Sequence, residues 1–276
     1  MKCSPALLRP ALLCLACLIH PGAADAQNLL TNPSFELGSF VDRGDGFQIL
    51  PIGSTAITGW TVINDSMAWG KYPNSAVNVH PAIPRDGTFF LDLQGDGVQN
   101  APFGGVSQSI ATITGRKYVL RFNLGTQQDA GSPFTHGPIS VSAGADATTS
   151  TFTYNPSGTG SQWQEFKLVF VAQGPSTVIS IIGQSTAGGA YIGLDHTSVV
   201  EVKEPTLGIA LVGGQPRLTL SGSVGSTYRI GHTDDLSTPS PWPTLVDITL
   251  ATPSQDHTDP VPPIDRHFYR AWLVSE

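Results

Sequence analysis

The apolar residues of this chain recur with a period of two wherever a pattern is clear. Tyr118, Leu120, Phe122 and Leu124 fall on one face of Tyr118–Leu124, and Phe166, Leu168 and Phe170 alternate within Gln164–Val171. Alternation of this kind marks half-buried β-strands, because successive side chains of a strand point to opposite faces. Val178–Ile182 is short and β-branched and reads as a buried strand, and Tyr191–Val202 reads as another. Turn-forming clusters separate the runs, as in Gly131-Ser132-Pro133 and Asn155-Pro156-Ser157-Gly158. No amphipathic helical period persists over a window of about 11 residues. The pattern predicts an all-β chain built as an antiparallel sandwich.

Beyond Val202 the rhythm breaks at Lys203-Glu204-Pro205, which reads as a linker. Short strands then follow at Leu207–Val212, Arg217–Ser221, Thr227–Gly231, Leu245–Leu250 and His267–Leu273, with Pro-rich turns such as Ser237-Thr238-Pro239-Ser240-Pro241 between them. The start of the chain has a different pattern. Lys2 and Arg9 flank an apolar run, Ala11–Ile19, that ends near Ala24-Asp25-Ala26, the small-x-small spacing of a signal-peptidase site. That run is shorter than the roughly 20 residues that a helix needs to cross a bilayer, and no later apolar stretch approaches that length. The expected organisation is a signal peptide over 1–26, a β-sandwich over 27–203 and a small all-β module over 204–276. Cleavage after Ala26 implies a secreted, periplasmic or cell-surface protein. Leu15-Ala16-Cys17 resembles the end of a lipobox, so acylation at Cys17 is the alternative, although Cys14 occupies a place where that motif prefers an aliphatic residue.

Composition adds three points. All three cysteines, Cys3, Cys14 and Cys17, lie in the leader, so the exported chain has none and its core or a metal ion must hold it together. Charged residues are 13% against 40% hydrophobic, which excludes a disordered chain. The formal charge of −7, one unit more acidic once Lys2, Arg9 and Asp25 are removed, argues against a nucleic-acid partner.

Five stretches then occur in order: Asn28-Leu29-Leu30-Thr31-Asn32-Pro33-Ser34-Phe35-Glu36, Ile52–Val62 with Gly59-Trp60, Asp86-Gly87-Thr88-Phe89-Phe90-Leu91-Asp92-Leu93, Gly105-Val106-Ser107-Gln108-Ser109, and Gly193-Leu194-Asp195-His196-Thr197-Ser198-Val199. Over roughly residues 28–202 the chain resembles the domain of unknown function 642 and choice-of-anchor C family. The resemblance implies an exported galactose-binding-like jelly-roll β-sandwich of the kind used by carbohydrate-binding modules. It also implies association with the cell wall or envelope. Two departures stand out. The domain ends in Asp195-His196 where the family commonly has Asp-Asn or Asp-Asp, and a small β module replaces the bacterial sorting tail.

By the same resemblance, Glu36, Asp86 and Asp195 match a structural calcium site that ties the first strand to the last. Carboxylates distant in sequence suit a cation that takes six to eight hard oxygens. The other reading is that these carboxylates cap surface turns. For a ligand, the resemblance points to a polysaccharide or envelope glycan. Trp69, Tyr72, Phe103, Phe134 and His136 lie in segments that read as loops, where aromatic faces could stack on sugar rings. Trp60 and Trp163 sit in strand-like contexts that favour the core.

Signatures of catalysis are missing. There is no Gly-x-Ser-x-Gly, no His-Glu-x-x-His, no phosphate-binding loop and no exported cysteine. Asp92 and Asp96 could serve as the carboxylate pair of a glycoside hydrolase, although any acidic chain offers such pairs. Arg43-Gly44-Asp45 and Asp234-Asp235 read as polar turns. The leading expectation is a non-catalytic, calcium-stiffened carbohydrate-binding or envelope protein. The alternatives are an adhesion protein that binds envelope or matrix proteins, and a glycan-active hydrolase.

Overall fold

A computed structural model describes residues 27–73, 83–95, 103–128, 138–157, 160–186, 191–260 and 266–275. The proposed leader and the positions Phe134, His136 and Asp96 lie outside the described residues. In chain order the strands are β1 (Phe47–Leu50), β2 (Thr61–Ile63), β3 (Met67–Lys71), β4 (Phe89–Asp92), β5 (Gly105–Ala111) and β6 (Lys117–Gln128). Next come β7 (Ile139–Ala145), β8 (Thr148–Tyr154), β9 (Gly160–Val171), β10 (Ser176–Thr186) and β11 (Gly193–Glu201). The chain ends with β12 (Thr206–Val212), β13 (Gln215–Ser221), β14 (Thr227–Thr233), β15 (Thr244–Thr249), β16 (Ser254–Thr258) and β17 (Phe268–Ser275). No helix occurs among the described residues.

Strands β1 to β11 form a sandwich. One sheet runs β1-β3-β4-β11-β6-β9 and the other β2-β5-β10-β7-β8, every pairing antiparallel. The alternation seen in sequence becomes the core. Tyr118, Leu120, Phe122 and Leu124 of β6 turn inward with Leu168 and Phe170 of β9 to meet Val106, Val141, Ile179 and Ile181 of the other sheet. Each fully buried side chain of this size contributes about 1.5–3 kcal/mol, so a core this large can dispense with disulfides. Val178 corrects the sequence reading: it is 47% exposed, because the sheet buries only alternate residues of β10, Ile179 and Ile181.

The opening stretch is a clasp rather than a strand. Asn28 Oδ1 accepts the Leu30 and Val199 N–H groups at 3.1 and 2.9 Å, and the Leu29 N–H reaches Val199 O at 2.8 Å. Asn32 Nδ2 donates to Leu37 O and Thr58 O. The Trp60 indole donates to Asn32 O at 3.0 Å. These bonds explain why Asn and Trp occur in the opening motifs: they fasten the N-terminal segment to β11 and to the Gly59-Trp60 turn.

Strands β12 to β17 form two three-stranded sheets, β12-β13-β16 and β15-β14-β17, around a separate core of Leu218, Leu220, Tyr228, Ile230, Ile248 and Leu250. The connector read as a linker is hydrogen-bonded to this unit. Tyr228 Oη donates to Lys203 O at 2.9 Å and accepts the Ser223 N–H at 2.8 Å, and the Lys203 N–H reaches Ser223 Oγ at 2.8 Å. β16 was not anticipated. Its sequence Ser-Gln-Asp-His-Thr has no apolar residue to alternate, and it joins β13 through main-chain pairing and the Arg217–Asp256 ion pair.

Candidate functional site

The outer face of the six-stranded sheet carries a second apolar cluster. Phe47 on β1, Ala68 on β3 and Phe90 on β4 are buried there, with Ile49 and Trp163 half-buried against them. Register explains how the rings fit. Gly70 pairs with both Phe47 and Phe90, and Gly125 pairs with both Gly193 and Trp163. The Trp163 ring lies flat in this glycine gap. A Cβ added at Gly125 would come within 2.2 Å of ring carbon Cε3, and one added at Gly193 within 3.1 Å of Cη2. The Trp163 indole N–H donates to Ile83 O at 2.8 Å, and the Ile83 N–H reaches Ser161 Oγ at 2.7 Å. Two residues before Gly193, on the same face by strand parity, half-buried Tyr191 stacks on Phe47 with centroids 6.3 Å apart and planes 16° apart. Two partly exposed aromatic rings, Trp163 and Tyr191, therefore share one face of a rigid sheet.

The segment leading into β4 lies over the same face as a strap, and the three carboxylates singled out in the sequence hold it there. Asp195 Oδ2 accepts the N–H groups of Arg85 and Asp86 at 2.7 and 2.9 Å, and its Oδ1 accepts that of His196 at 2.6 Å. Glu36 Oε1 accepts the Thr88 and Phe89 N–H groups at 2.9 and 2.7 Å. Asp86 Oδ2 accepts the Ser34 hydroxyl at 2.7 Å and lies 3.8 Å from His196 Nδ1. Gly87, with φ of 64°, sits against Glu36; a Cβ there would fall 2.4 Å from the Glu36 carboxyl carbon. The shift in β11 register between Asp195 and Ser198, with His196 at φ 48°, is a bulge that re-aims this part of the strand. Asp195 has no exposed surface, and burial, with the Asp86 charge adding to it, pushes its carboxyl up to about 7 despite the three N–H groups.

Glu36, Asp86 and Asp195 are thus brought to one strap, Arg85–Phe89, but not to one point. Among the described residues no three His, Cys, Asp or Glu side chains are grouped so as to hold a metal ion. As placed, Glu36 Oε1 and both Asp195 oxygens are taken up by main-chain N–H groups, and Asp86 Oδ2 by the Ser34 hydroxyl. The expected melting temperature of residues 27–276 is the same in EDTA and in millimolar calcium; a rise of several degrees with calcium would reinstate the three carboxylates as ligands.

The aromatic residues singled out for ligand stacking separate. Trp69 lies in β3 and is 1% exposed, and its indole donates to Phe35 O at 3.1 Å. Phe103 is 3% exposed in the main core. Neither offers a face to a ligand, and this corrects the loop reading: the short strand β3 and the entry to β5 point these rings inward. Tyr72 is half-buried just beyond β3. Trp60 is buried as expected, whereas Trp163 is not in the main core. Asp92 is 1% exposed, its Oδ1 accepting the Gln94 and Ile192 N–H groups. Arg43-Gly44-Asp45 is a polar turn in which Asp42 accepts the Gly44 and Gly46 N–H groups. Asp234 pairs with His267, which hydrogen-bonds His232.

Solved structures with a similar fold include a CBM4 structure, with 16% identity over 62% of this chain and 99% of that one at a TM-score of 0.32. Another is TmCBM61 in complex with β-1,4-galactotriose, at 14% identity over 64% and 99% of the two chains and a TM-score of 0.32. A putative sugar binding protein from Bacteroides thetaiotaomicron matches at 13% identity over 63% and 100%, with a TM-score of 0.37. No curated protein matches the sequence. A family described as "Protein of unknown function (DUF642)" matches residues 28–191, more than half of the chain and most of the sandwich, and the chain belongs to that family.

Proposed function

We propose that this protein is an exported, non-catalytic carbohydrate-binding protein of the cell envelope, and that its glycan lies on the outer face of the six-stranded sheet. The observation that carries the reading is the Trp163 ring, held flat over Gly125 and partly exposed. A flat indole face with its edge N–H already committed to Ile83 O is pre-organised for the CH face of a sugar ring. Tyr191 supplies a second ring on that face. The net negative charge, −7 for the whole chain and one unit more acidic without the leader, favours a neutral glycan over an acidic one.

The test is affinity gel electrophoresis of residues 27–276 through neutral plant and microbial polysaccharides. At least one of them is expected to retard the wild type. Trp163→Ala is expected to migrate as it does without glycan. Gly125→Ala, which drives a methyl group into the indole, is expected to weaken retardation too. If no glycan retards the wild type, or if Trp163→Ala is retarded equally, the reading fails.

A further inference from the structure

Strand β12 is an edge of the sheet β12-β13-β16, paired to β13 on one side only among the described residues. Its residues, Thr206-Leu207-Gly208-Ile209-Ala210-Leu211-Val212, include no charge and no proline, and its register with β13 runs without a bulge from Thr206↔Ser221 to Val212↔Gln215. Natural edge strands are usually blunted by charge, proline, bulges or short length. Most other edges here have such features. β9 carries Glu165 and Lys167, β15 carries Asp247, β16 carries Asp256, β17 carries Arg270, β2 is three residues long and β1 only four. β8 also lacks charge and proline, but its exposed residues Thr149, Ser150, Thr151 and Thr153 are hydroxyl-bearing and form no apolar stripe.

The apolar stripe of β12 also outruns its cover. Leu207, Ile209 and Leu211 share a face with their partners Leu220, Leu218 and Pro216. Leu218 and Leu220 are fully buried, yet Ile209 is 61% and Leu211 71% exposed. The core-facing side of the sheet therefore continues past the core.

We propose that β12 pairs antiparallel with β12 of a second copy, about a twofold axis centred on Ile209. That register sets Ile209 opposite Ile209, Leu207 opposite Leu211, Gly208 opposite Ala210 and Thr206 opposite Val212. All six large side chains of the stripe meet on one face, Thr206, Gly208, Ala210 and Val212 meet on the other, and no like charges are opposed although the whole chain is acidic. The two edges satisfy each other and leave no further template, so the assembly closes at two. Two strands of this length hide on the order of a few hundred Å² per copy, the size of a weak, transient interface, so the dimer is expected to populate only at micromolar concentrations and above.

Sedimentation of residues 27–276 from about 1 to about 300 µM tests this range. The weight-average mass is expected to rise toward twice the monomer. Ile209→Lys, which puts an ammonium at an exposed position, is expected to stay monomeric throughout with an unchanged melting temperature. Residues 27–276 have no cysteine, so introduced thiols report geometry cleanly. Directly opposed residues of an antiparallel pair lie about 4.5–5.5 Å apart between Cα atoms, within disulfide reach. Ile209→Cys should oxidise to a covalent dimer at low protein concentration, while Val224→Cys, 46% exposed elsewhere in the module, should not. A wild type that stays monomeric to about 300 µM overturns the proposal. So does association that Ile209→Lys leaves intact, or growth past the dimer.

Discussion

Replacing Trp69 with alanine is expected to lower the stability of the sandwich by about 3–5 kcal/mol, the range for removing a large buried aromatic ring. The ring is 1% exposed and lies between Phe40 and Phe89, with centroids 5.2 and 5.0 Å away. Gly38 packs so closely that a Cβ there would fall 2.8 Å from its Cη2. The variant leaves a cavity that β3, hydrogen-bonded on both sides, cannot collapse to fill. It also strips Phe35 O of its indole donor. Domains are typically stable by about 5–15 kcal/mol, so a large share of the total is lost. Urea melts of residues 27–276, followed by circular dichroism, measure the loss directly. Trp163→Ala in the same melts is expected to cost far less, because its ring is half-buried on the outer face. The two tryptophans therefore dissociate stability from glycan retention. A Trp69→Ala protein that melts like the wild type, yet fails to be retarded, would return Trp69 to the ligand surface.

That separation was partly legible in the sequence. In Gln164–Val171 the inward residues Phe166, Leu168 and Phe170 are even-numbered, so the parity of the strand already sets Trp163 on the opposite face. For Trp69 the same signal is weak. Strand β3 has five residues, and beyond Trp69 it runs through Gly70 and Lys71 into Tyr72-Pro73, so it reads as a loop until β1 and β4 flank it. The meeting of Glu36, Asp86 and Asp195 at one strap could be expected from the order of the family motifs. What those carboxylates touch could not, because main-chain N–H groups belong to every residue except proline and leave no mark in the sequence. Strands β8 and β16, whose outward residues are hydroxyl-bearing or charged, owe their places to neighbouring strands rather than to a hydrophobic period of their own.

The stability of the protein is expected to fall as the pH rises from 5 to 8, with Asp195 as the cause. Its carboxyl is pushed up to about 7 in the folded chain, by burial first and by the Asp86 charge in addition, against 3.8 for the ordinary group. The folded state therefore holds this proton more tightly than the unfolded state. The stabilising contribution is complete below about pH 4, declines as the pH rises through 7, and is gone above about pH 8, at a slope of roughly 1 kcal/mol per pH unit. The informative quantity is the difference between the wild type and Asp195→Asn, measured by thermal melts in EDTA, because the contributions of all other groups cancel in it. Asparagine cannot ionise, and the variant should lose the Asp195 part of the slope, gaining on the wild type as the pH rises. Asp195→Ala behaves differently, because it removes the acceptor of the Arg85 and Asp86 N–H groups at every pH, at a cost of about 0.5–1.5 kcal/mol for each hydrogen bond lost. If the wild type and Asp195→Asn melt in parallel from pH 5 to 8, the carboxylate is ionised throughout. The three N–H groups would then outweigh its burial, and the strap would be held by a full charge rather than by a titrating one.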